Sequence, residues 1–428
     1  MKHIACGWLS LAVVALLVCT GCPKPPPPPP VEQPPKDYWK ELGPGEMALT
    51  KIDPSEYPDF SGGFVNKEGL EEAIKNSLSY LSKPSSKKYF PYLDISHARA
   101  VASLHALLDV LQEAKSPTDL DALIKQRFEV YQSKGCDQHR TVLFTGYYRP
   151  IFDARLQREG EFQYPLYRPP DNLVKDAEGN TLGIKMPNGT VYKCWSRSQI
   201  EADASLPIKP ICWLKDRFEA YIVTVQGSGK LRLPDGSFFE IGYAANNGFE
   251  YTSIGRKMIE DGVLRKEDLS LQGLIRHFRE HPEQMDKYLP LNQRYVFFIE
   301  RTGGPWGSLN EPVTPYRSIA VDKAVFPRAC PAFIVTQLPT RLGDQIVNQP
   351  YSGLALDQDT GGGIRAAGRC DIFMGTGDEV GELAGRTFAE GQLYYIFVKE
   401  GMGQPATPTP APPPAETPAG PEPSAPQT

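Results

Sequence analysis

Proline placement confines where this chain can fold. Of 42 prolines in 428 residues, nine lie between Cys22 and Lys36 and ten between Gly401 and Thr428. Proline locks φ and removes a backbone donor, so neither stretch can enter a helix interior or a central strand. The other 23 are spread at ordinary density over residues 37–400. A globular body of 364 residues between two tails follows, with room for two domains at roughly 150 residues each. A 40% hydrophobic, 10% aromatic composition can build cores, which excludes global disorder. The net charge of −5 offers a phosphate backbone no basic landing surface, so nucleic acid is excluded as a partner.

The N-terminus reads as an address. Lys2 and His3 precede an apolar run, Ile4–Val18, shorter than the ~20 residues a membrane span needs. It is a signal-peptide core, which makes residues 1–21 a removable leader. The run ends in Cys19-Thr20-Gly21-Cys22. A small residue directly before Cys22 resembles the bacterial lipobox, although Cys19 stands where Leu is usual. Cleavage there leaves Cys22 as the lipid-bearing residue. Residues 22–36 then form a stalk. Six consecutive prolines, Pro25–Pro30, favour extended polyproline II, and at ~3.1 Å per residue the fourteen residues from Pro23 to Lys36 reach about 43 Å. Pro23, rather than Asp, after the lipidated Cys points to the outer membrane. The expected location is the periplasm, anchored to outer-membrane lipid. Residues 401–428, rich in Pro, Ala and Thr, read as a disordered tail.

Five cysteines remain in the body: Cys136, Cys194, Cys212, Cys330 and Cys370. The number is odd, so at least one is unpaired, and their pairing stays open. None forms a C-x-x-C pair, so a zinc knuckle or a thioredoxin-type motif has no support.

Residues 68–133 read as helical. Ala98–Ala114 places Val101, Leu104, Leu107, Leu108 and Leu111 on one stripe. Ser116-Pro117-Thr118-Asp119 is a helix start opening Leu120–Tyr131. From Thr141 the pattern turns to strands: Thr141–Tyr148, Ala220–Val225 and Lys230–Leu233, with a turn at Pro234-Asp235-Gly236. Helices are expected near Ser253–Asp261 and Ser270–His281. After Tyr295–Ile299 come short strands at Ser318–Val321, Ala332–Thr336, Ser352–Leu356, Asp371–Met374 and Leu393–Val398. Their Gly-rich links suggest a small closed barrel.

Four patterns compete for the chemistry. His277-Phe278-Arg279-Glu280-His281 fits the inverted zincin motif, but Pro282 ends the helix at once and no downstream helix offers a third ligand. Asp359-Thr360-Gly361 spells the aspartic-protease triplet, yet no second copy exists to share its proton. Gly227-Ser228-Gly229 lacks the Lys and the helix start of a phosphate loop, and reads as a hairpin corner. The fourth pattern joins Asp359 and Asp371 across a Gly-rich segment that lets the backbone approach a bulky ligand. Ile372 and Phe373 predict an apolar setting that keeps Asp371 protonated, as glycosidic leaving-group protonation requires.

Asp359-Thr360-Gly361-Gly362 and Asp371-Ile372-Phe373-Met374-Gly375-Thr376-Gly377, with Asp322 upstream, resemble the three-aspartate barrel of the membrane-bound lytic murein transglycosylase A family. Phe144-Thr145-Gly146-Tyr147-Tyr148, Val225-Gln226-Gly227-Ser228-Gly229 and Tyr251-Thr252-Ser253-Ile254-Gly255 are similar in the same order, and the resemblance runs from about Tyr89 to Lys399. Gly363, where the family more often has Ala, and extra residues around Asp171–Lys193 depart from it.

The resemblance implies a mainly β fold with α segments. In it, a double-psi β-barrel domain is interrupted by an inserted β-rich domain, with a substrate groove between them. Residues 37–148 would be the helical N-terminal part of the barrel domain, 149–298 the inserted substrate-binding domain and 299–400 the three-aspartate barrel. Asp371 would be the acid and base, with Asp359 and Asp322 completing the trio. Tyr147, Tyr148, Gln226, Ser228, Tyr251, Gly361 and Gly362 would contact glycan strands of peptidoglycan. Cleavage between MurNAc and GlcNAc would leave 1,6-anhydro-MurNAc ends, with no cofactor and no metal, and the catalytic body would be a monomer. A catalytically silent peptidoglycan-binding lipoprotein is the alternative, and a zinc hydrolase on His277, Glu280 and His281 a more distant one.

Overall fold

The computed structural model describes residues 36–401, apart from 177, 178, 266–268, 270 and 362. The leader, Cys22, the Pro25–Pro30 stalk, Gly362 and the tail from residue 402 lie outside the described residues.

Six strands close on themselves. Val142–Arg149 runs parallel to Arg369–Thr376, which is antiparallel to Ser318–Ala320. Ser318–Ala320 is parallel to Gln345–Asp359, which forms a long hairpin with Pro331–Leu342. Pro331–Leu342 pairs with Phe388–Val398, and this last strand returns to Val142–Arg149. Closure removes the open edges that a flat sheet would expose. Phe144, Ile319, Phe333, Leu356, Ile372 and Phe397 are fully buried in the resulting core, each worth about 1.5–3 kcal/mol against exposure.

The N-terminal part wraps this barrel. Helices Leu70–Ser82, His97–Glu113 and Pro117–Arg127 pack on it, and strands Leu49–Lys51 and Phe128–Ser133 extend the sheet beyond Phe388–Val398. The Ser116 hydroxyl accepts from the Asp119 amide as the sequence predicts, a cap worth ~1 kcal/mol. The helix stops at Arg127, short of the expected Tyr131, because Phe128–Ser133 pairs with Phe388–Val398 instead.

Between the first barrel strand and the rest lies the β-rich insert. Its six-stranded sheet runs Val296–Glu300, Phe238–Asn246, Ser228–Arg232, Ile151–Arg155, Pro210–Leu214 and Tyr164–Tyr167. A three-stranded meander, Leu173–Lys175, Thr181–Lys185 and Val191–Tyr192, occupies the extra residues of the Asp171–Lys193 region.

Ala220–Val225 is not a strand but part of the helix Arg217–Gln226. The β-branched run misleads. The local chemistry favours a helix: Asp216 accepts from the Phe218 and Glu219 amides, and Gly227 closes the helix in the left-handed region at φ 75°. Gly227-Ser228-Gly229 is therefore a helix-to-strand corner, not a hairpin. The five described cysteines are buried, and Cys194, Cys212, Cys330 and Cys370 are free thiols.

Candidate active site

The Ser318–Ala320 strand brings the two barrel aspartates together. Ala320 pairs with Asp359 on one side and with Asp371 on the other. The aspartates thus sit two strand spacings apart, about 10 Å between backbones. On the next strand Thr145 stands opposite Asp371, and Tyr147, two residues on, points to the same face.

Asp371 is not in an apolar pocket. Its Oδ1 accepts from the Thr145 hydroxyl and lies 3.0 Å from the Arg369 guanidinium, which also donates to Thr145 Oγ1 at 3.1 Å. Ile372 and Phe373 do flank it in sequence, but strand alternation sends Ile372 into the core and leaves Asp371 with polar partners. Among the described residues, Oδ2 of Asp371 makes no hydrogen bond.

Asp359 is enclosed. Its Oδ1 accepts from the Ser308 and Thr360 amides, both at 2.8 Å, and Oδ2 accepts from the Tyr147 hydroxyl at 2.8 Å. Burial raises the pKa of Asp359, against the pull of those three donors and of Lys323. Burial and the neighbouring Asp359 carboxylate raise the Tyr147 phenol well above its ordinary value. Tyr147 also packs at 5.2 Å on Phe373. Its hydroxyl is committed to Asp359, which makes it a brace for the site.

Asp322 follows Val321, whose amide donates to the Asp359 carbonyl at 3.2 Å. It is buried, and its oxygens accept from the Ala324 amide at 3.0 Å and the Ala366 amide at 2.9 Å. Ala366 is a non-glycine residue at φ 65°. Asp322 therefore pins the loop between Asp359 and Asp371 to the turn that follows Ser318–Ala320.

Beside this lies a group with no sequence motif. Lys323 is buried and ion-paired with Asp357, whose Oδ2 accepts from the Tyr395 hydroxyl at 2.8 Å. Burial pushes the Lys323 ammonium down to about 7, against the opposing charge of Asp359. Thr145 lies in the Phe144–Tyr148 run and Arg369 in the Gly-rich segment between Asp359 and Asp371, yet neither run assigns them a role. Only strand register reveals them, because Thr145 is 226 residues from its partner.

The expected glycan contacts separate into groups. Gln226 donates to the Tyr148 carbonyl at 3.2 Å, at the barrel–insert junction. Ser228 pairs with Gly242, where an added Cβ would meet Arg301 and Trp306. Cross-strand partners share a face, so Ser228 faces this wall, where the Arg301 guanidinium stacks 3.4 Å from the Trp306 ring centroid. The same wall holds Arg149 and Glu240, 3.5 Å apart. Gly361 accepts from the Ile364 amide in the loop after Asp359.

Tyr148 and Tyr251 are elsewhere. Tyr148 points away from the Thr145–Tyr147 face and accepts from Gln272 at 2.7 Å. It lines a cleft of about 780 Å³ with Glu219, Arg276, Asp378 and Arg386. That cleft lies behind the strand, not at the aspartates. Tyr251 sits inside the insert, with Ser253, Arg197 and Tyr221 as neighbours. His277 bonds Gln284 at 3.0 Å, and no group of three or more His, Cys, Asp or Glu that could hold a metal ion occurs among the described residues.

Comparison with known proteins is consistent along the chain. Residues 143–299 match the family model of the MltA specific insert domain, and residues 317–397 match the 3D domain. The chain is 32% identical over 282 residues to membrane-bound lytic murein transglycosylase A of Escherichia coli K12, covering 64% of this chain and 71% of that one. A homolog from Buchnera aphidicola is 27% identical over 329 residues, covering 75% and 82%. The crystal structure of a membrane-bound lytic murein transglycosylase from Agrobacterium tumefaciens aligns with TM-score 0.67 at 26% identity, over 82% of this chain and 98% of that one. Escherichia coli MltA with bound chitohexaose aligns with TM-score 0.60 at 25% identity, over 85% and 99%.

A closed six-stranded barrel interrupted by a β-rich insert is the fold shared with these solved relatives, and it places the chain among the lytic transglycosylases, enzymes that cleave the cell wall. Within that class the chain belongs to the membrane-bound lytic murein transglycosylase A family and is an enzyme that cleaves peptidoglycan.

Proposed function

We propose that the enzyme cleaves the β-1,4 bond between MurNAc and GlcNAc and leaves 1,6-anhydro-MurNAc ends, with Asp371 as its single acid and base. The observation that carries this reading is the unequal occupation of the three carboxyls. Both oxygens of Asp359 and of Asp322 are taken by protein donors, whereas Asp371 keeps Oδ2 unengaged among the described residues.

In this mechanism the protonated Asp371 gives its proton to the glycosidic oxygen as the C1–O bond breaks. The sugar's own 6-hydroxyl then attacks C1, and the Asp371 carboxylate takes the proton from O6. Because the nucleophile is intramolecular, no second carboxylate has to activate water. A hydroxyl is both donor and acceptor, so Thr145 can stay bonded to Asp371 through the gain and loss of that proton. Ser228, Gln226, Arg301 and Trp306 supply hydrogen bonds and an aromatic face of the kind that suits sugar rings. The relative with bound chitohexaose supports a glycan strand as ligand.

The relatives' description as membrane-bound supports association with a membrane. We assign it to a lipid on Cys22, in the outer membrane, with Pro23–Lys36 as the stalk and a monomeric body. The test is mass spectrometry of muropeptides released from sacculi by the pure protein. Anhydro ends support the reading. Reducing ends overturn it, and retention on sacculi without soluble products favours the silent binding protein.

A further inference from the structure

The first described turn of the chain reaches the catalytic carboxyl through one guanidinium. Asp37 starts the turn: its carboxylate accepts from the Trp39 amide at 3.1 Å, and its carbonyl from the Lys40 amide at 3.2 Å. The turn is docked at three points. The Trp39 indole donates to the Gly363 carbonyl at 3.0 Å, in the loop between Asp359 and Asp371. The Tyr38 hydroxyl donates to Glu390 at 2.7 Å. The Tyr38 carbonyl lies so close to Gly368 that an added Cβ would meet it at 2.7 Å. Residue 369 therefore follows a position where only glycine fits under this turn.

The Arg369 guanidinium lies 4.8 Å from the centre of the Trp39 ring. Its other contacts are Thr145 Oγ1 and Asp371 Oδ1. Nε of Arg369 is buried and finds no hydrogen-bond partner among the described residues. The ring face and the two contacts of one terminal nitrogen are thus what orient the group. A cation over an indole is held by the ring's quadrupole, at ~0.5–2 kcal/mol according to exposure.

We propose that Trp39 is a positioning residue of the catalytic centre: its ring holds Arg369 against Asp371, and its indole N–H holds the loop that carries Gly363. The proposal rests on Asp371 being the acid and base. It assigns a functional role to the segment joining the N-terminal region to the body. The charged and titratable groups around Asp371 are Arg369 and Cys370 on its own strand, Tyr147 on one adjacent strand, and Asp359 beyond Ser318–Ala320 on the other side. Of these, Arg369 is the one that touches the Trp39 ring.

The test compares full-length Trp39→Ala, Trp39→Phe and Tyr38→Phe on isolated glycan strands, with thermal melts alongside. For Trp39→Ala, kcat should fall about tenfold with KM within about twofold. Trp39→Phe, which keeps a ring over Arg369, should recover most of kcat. Tyr38→Phe, which loosens the same turn without touching Arg369, should match the parent. A parental kcat in Trp39→Ala would overturn the proposal. So would Trp39→Phe and Tyr38→Phe both as impaired as Trp39→Ala, since that would make the turn merely structural. Asp371→Asn assayed in parallel separates the two ideas: if it stays active, the assignment of Asp371 fails regardless of Trp39.

Discussion

The Tyr147 hydroxyl donates to Asp359 Oδ2 across 2.8 Å, and thereby ties the strand entering the insert to the far side of the aspartate pair. Asp359 lies three strand spacings from Tyr147, with Arg369–Thr376 and Ser318–Ala320 between them. The bond spans the width of the site and fixes one carboxylate while the other stays available.

Tyr147→Phe removes that donor and leaves an enclosed carboxylate oxygen without its protein partner. The cost should be on the order of 1–3 kcal/mol in stability, with kcat down about tenfold. Denaturant melts and single-substrate kinetics check both. An unchanged melt would mean that the bond does not hold the site.

Thr145→Val keeps the shape but removes the hydroxyl shared by Arg369 and Asp371. We expect kcat to fall at least about tenfold, with recovery in Thr145→Ser, because a hydroxyl in the same place restores the contact. Steady-state rates on glycan strands decide it.

Asp322→Asn sets an amide N–H₂ against the backbone N–H of either Ala324 or Ala366. The mismatch should cost about 1–3 kcal/mol and leave reduced but measurable activity. A variant with parental melting temperature and no activity would instead make Asp322 an acting group.

Glu219 tests pH dependence away from the site. Its Oε2 is buried with no hydrogen-bond partner among the described residues, and burial, with Asp216 nearby, pushes its pKa up to about 7. A raised carboxyl pKa favours the folded state fully below the ordinary value of 4.5, and this advantage is lost as pH rises through about 7. Glu219→Gln should therefore stabilise the protein by on the order of 1–2 kcal/mol at pH 8 and have little effect at pH 4. Melts at the two pH values check the sign.

Much of the site was legible because it lies in short contiguous runs. The strand holding Asp371 and the Gly-rich link from Asp359 can both be read from local pattern. Ser116 announces its helix by chemistry confined to one turn. What could not be read depends on distance along the chain. Barrel closure needs Phe388–Val398 to meet Val142–Arg149, and nothing in either run names the other. The same holds for Thr145 with Asp371, Lys323 with Asp357, and Trp39 with Arg369. Ala220–Val225 failed for a different reason: its β-branched residues suggest a strand, but Asp216 and Gly227 at the two ends decide for a helix. Asp322 stands in the sequence only as an aspartate beside the Ser318–Val321 run, with nothing to tie it to the loop between Asp359 and Asp371. Its use as a clamp on Ala366 depends on the fold of that loop.

The central claim is that one aspartate carries the chemistry, and the most direct measurement is the rate and product profile of Asp371→Asn on purified sacculi. The account predicts a folded protein whose release of anhydro-muropeptides falls by about 10³-fold or more, since amide cannot donate or take the proton. Release of the same products at near-parental rate would contradict it.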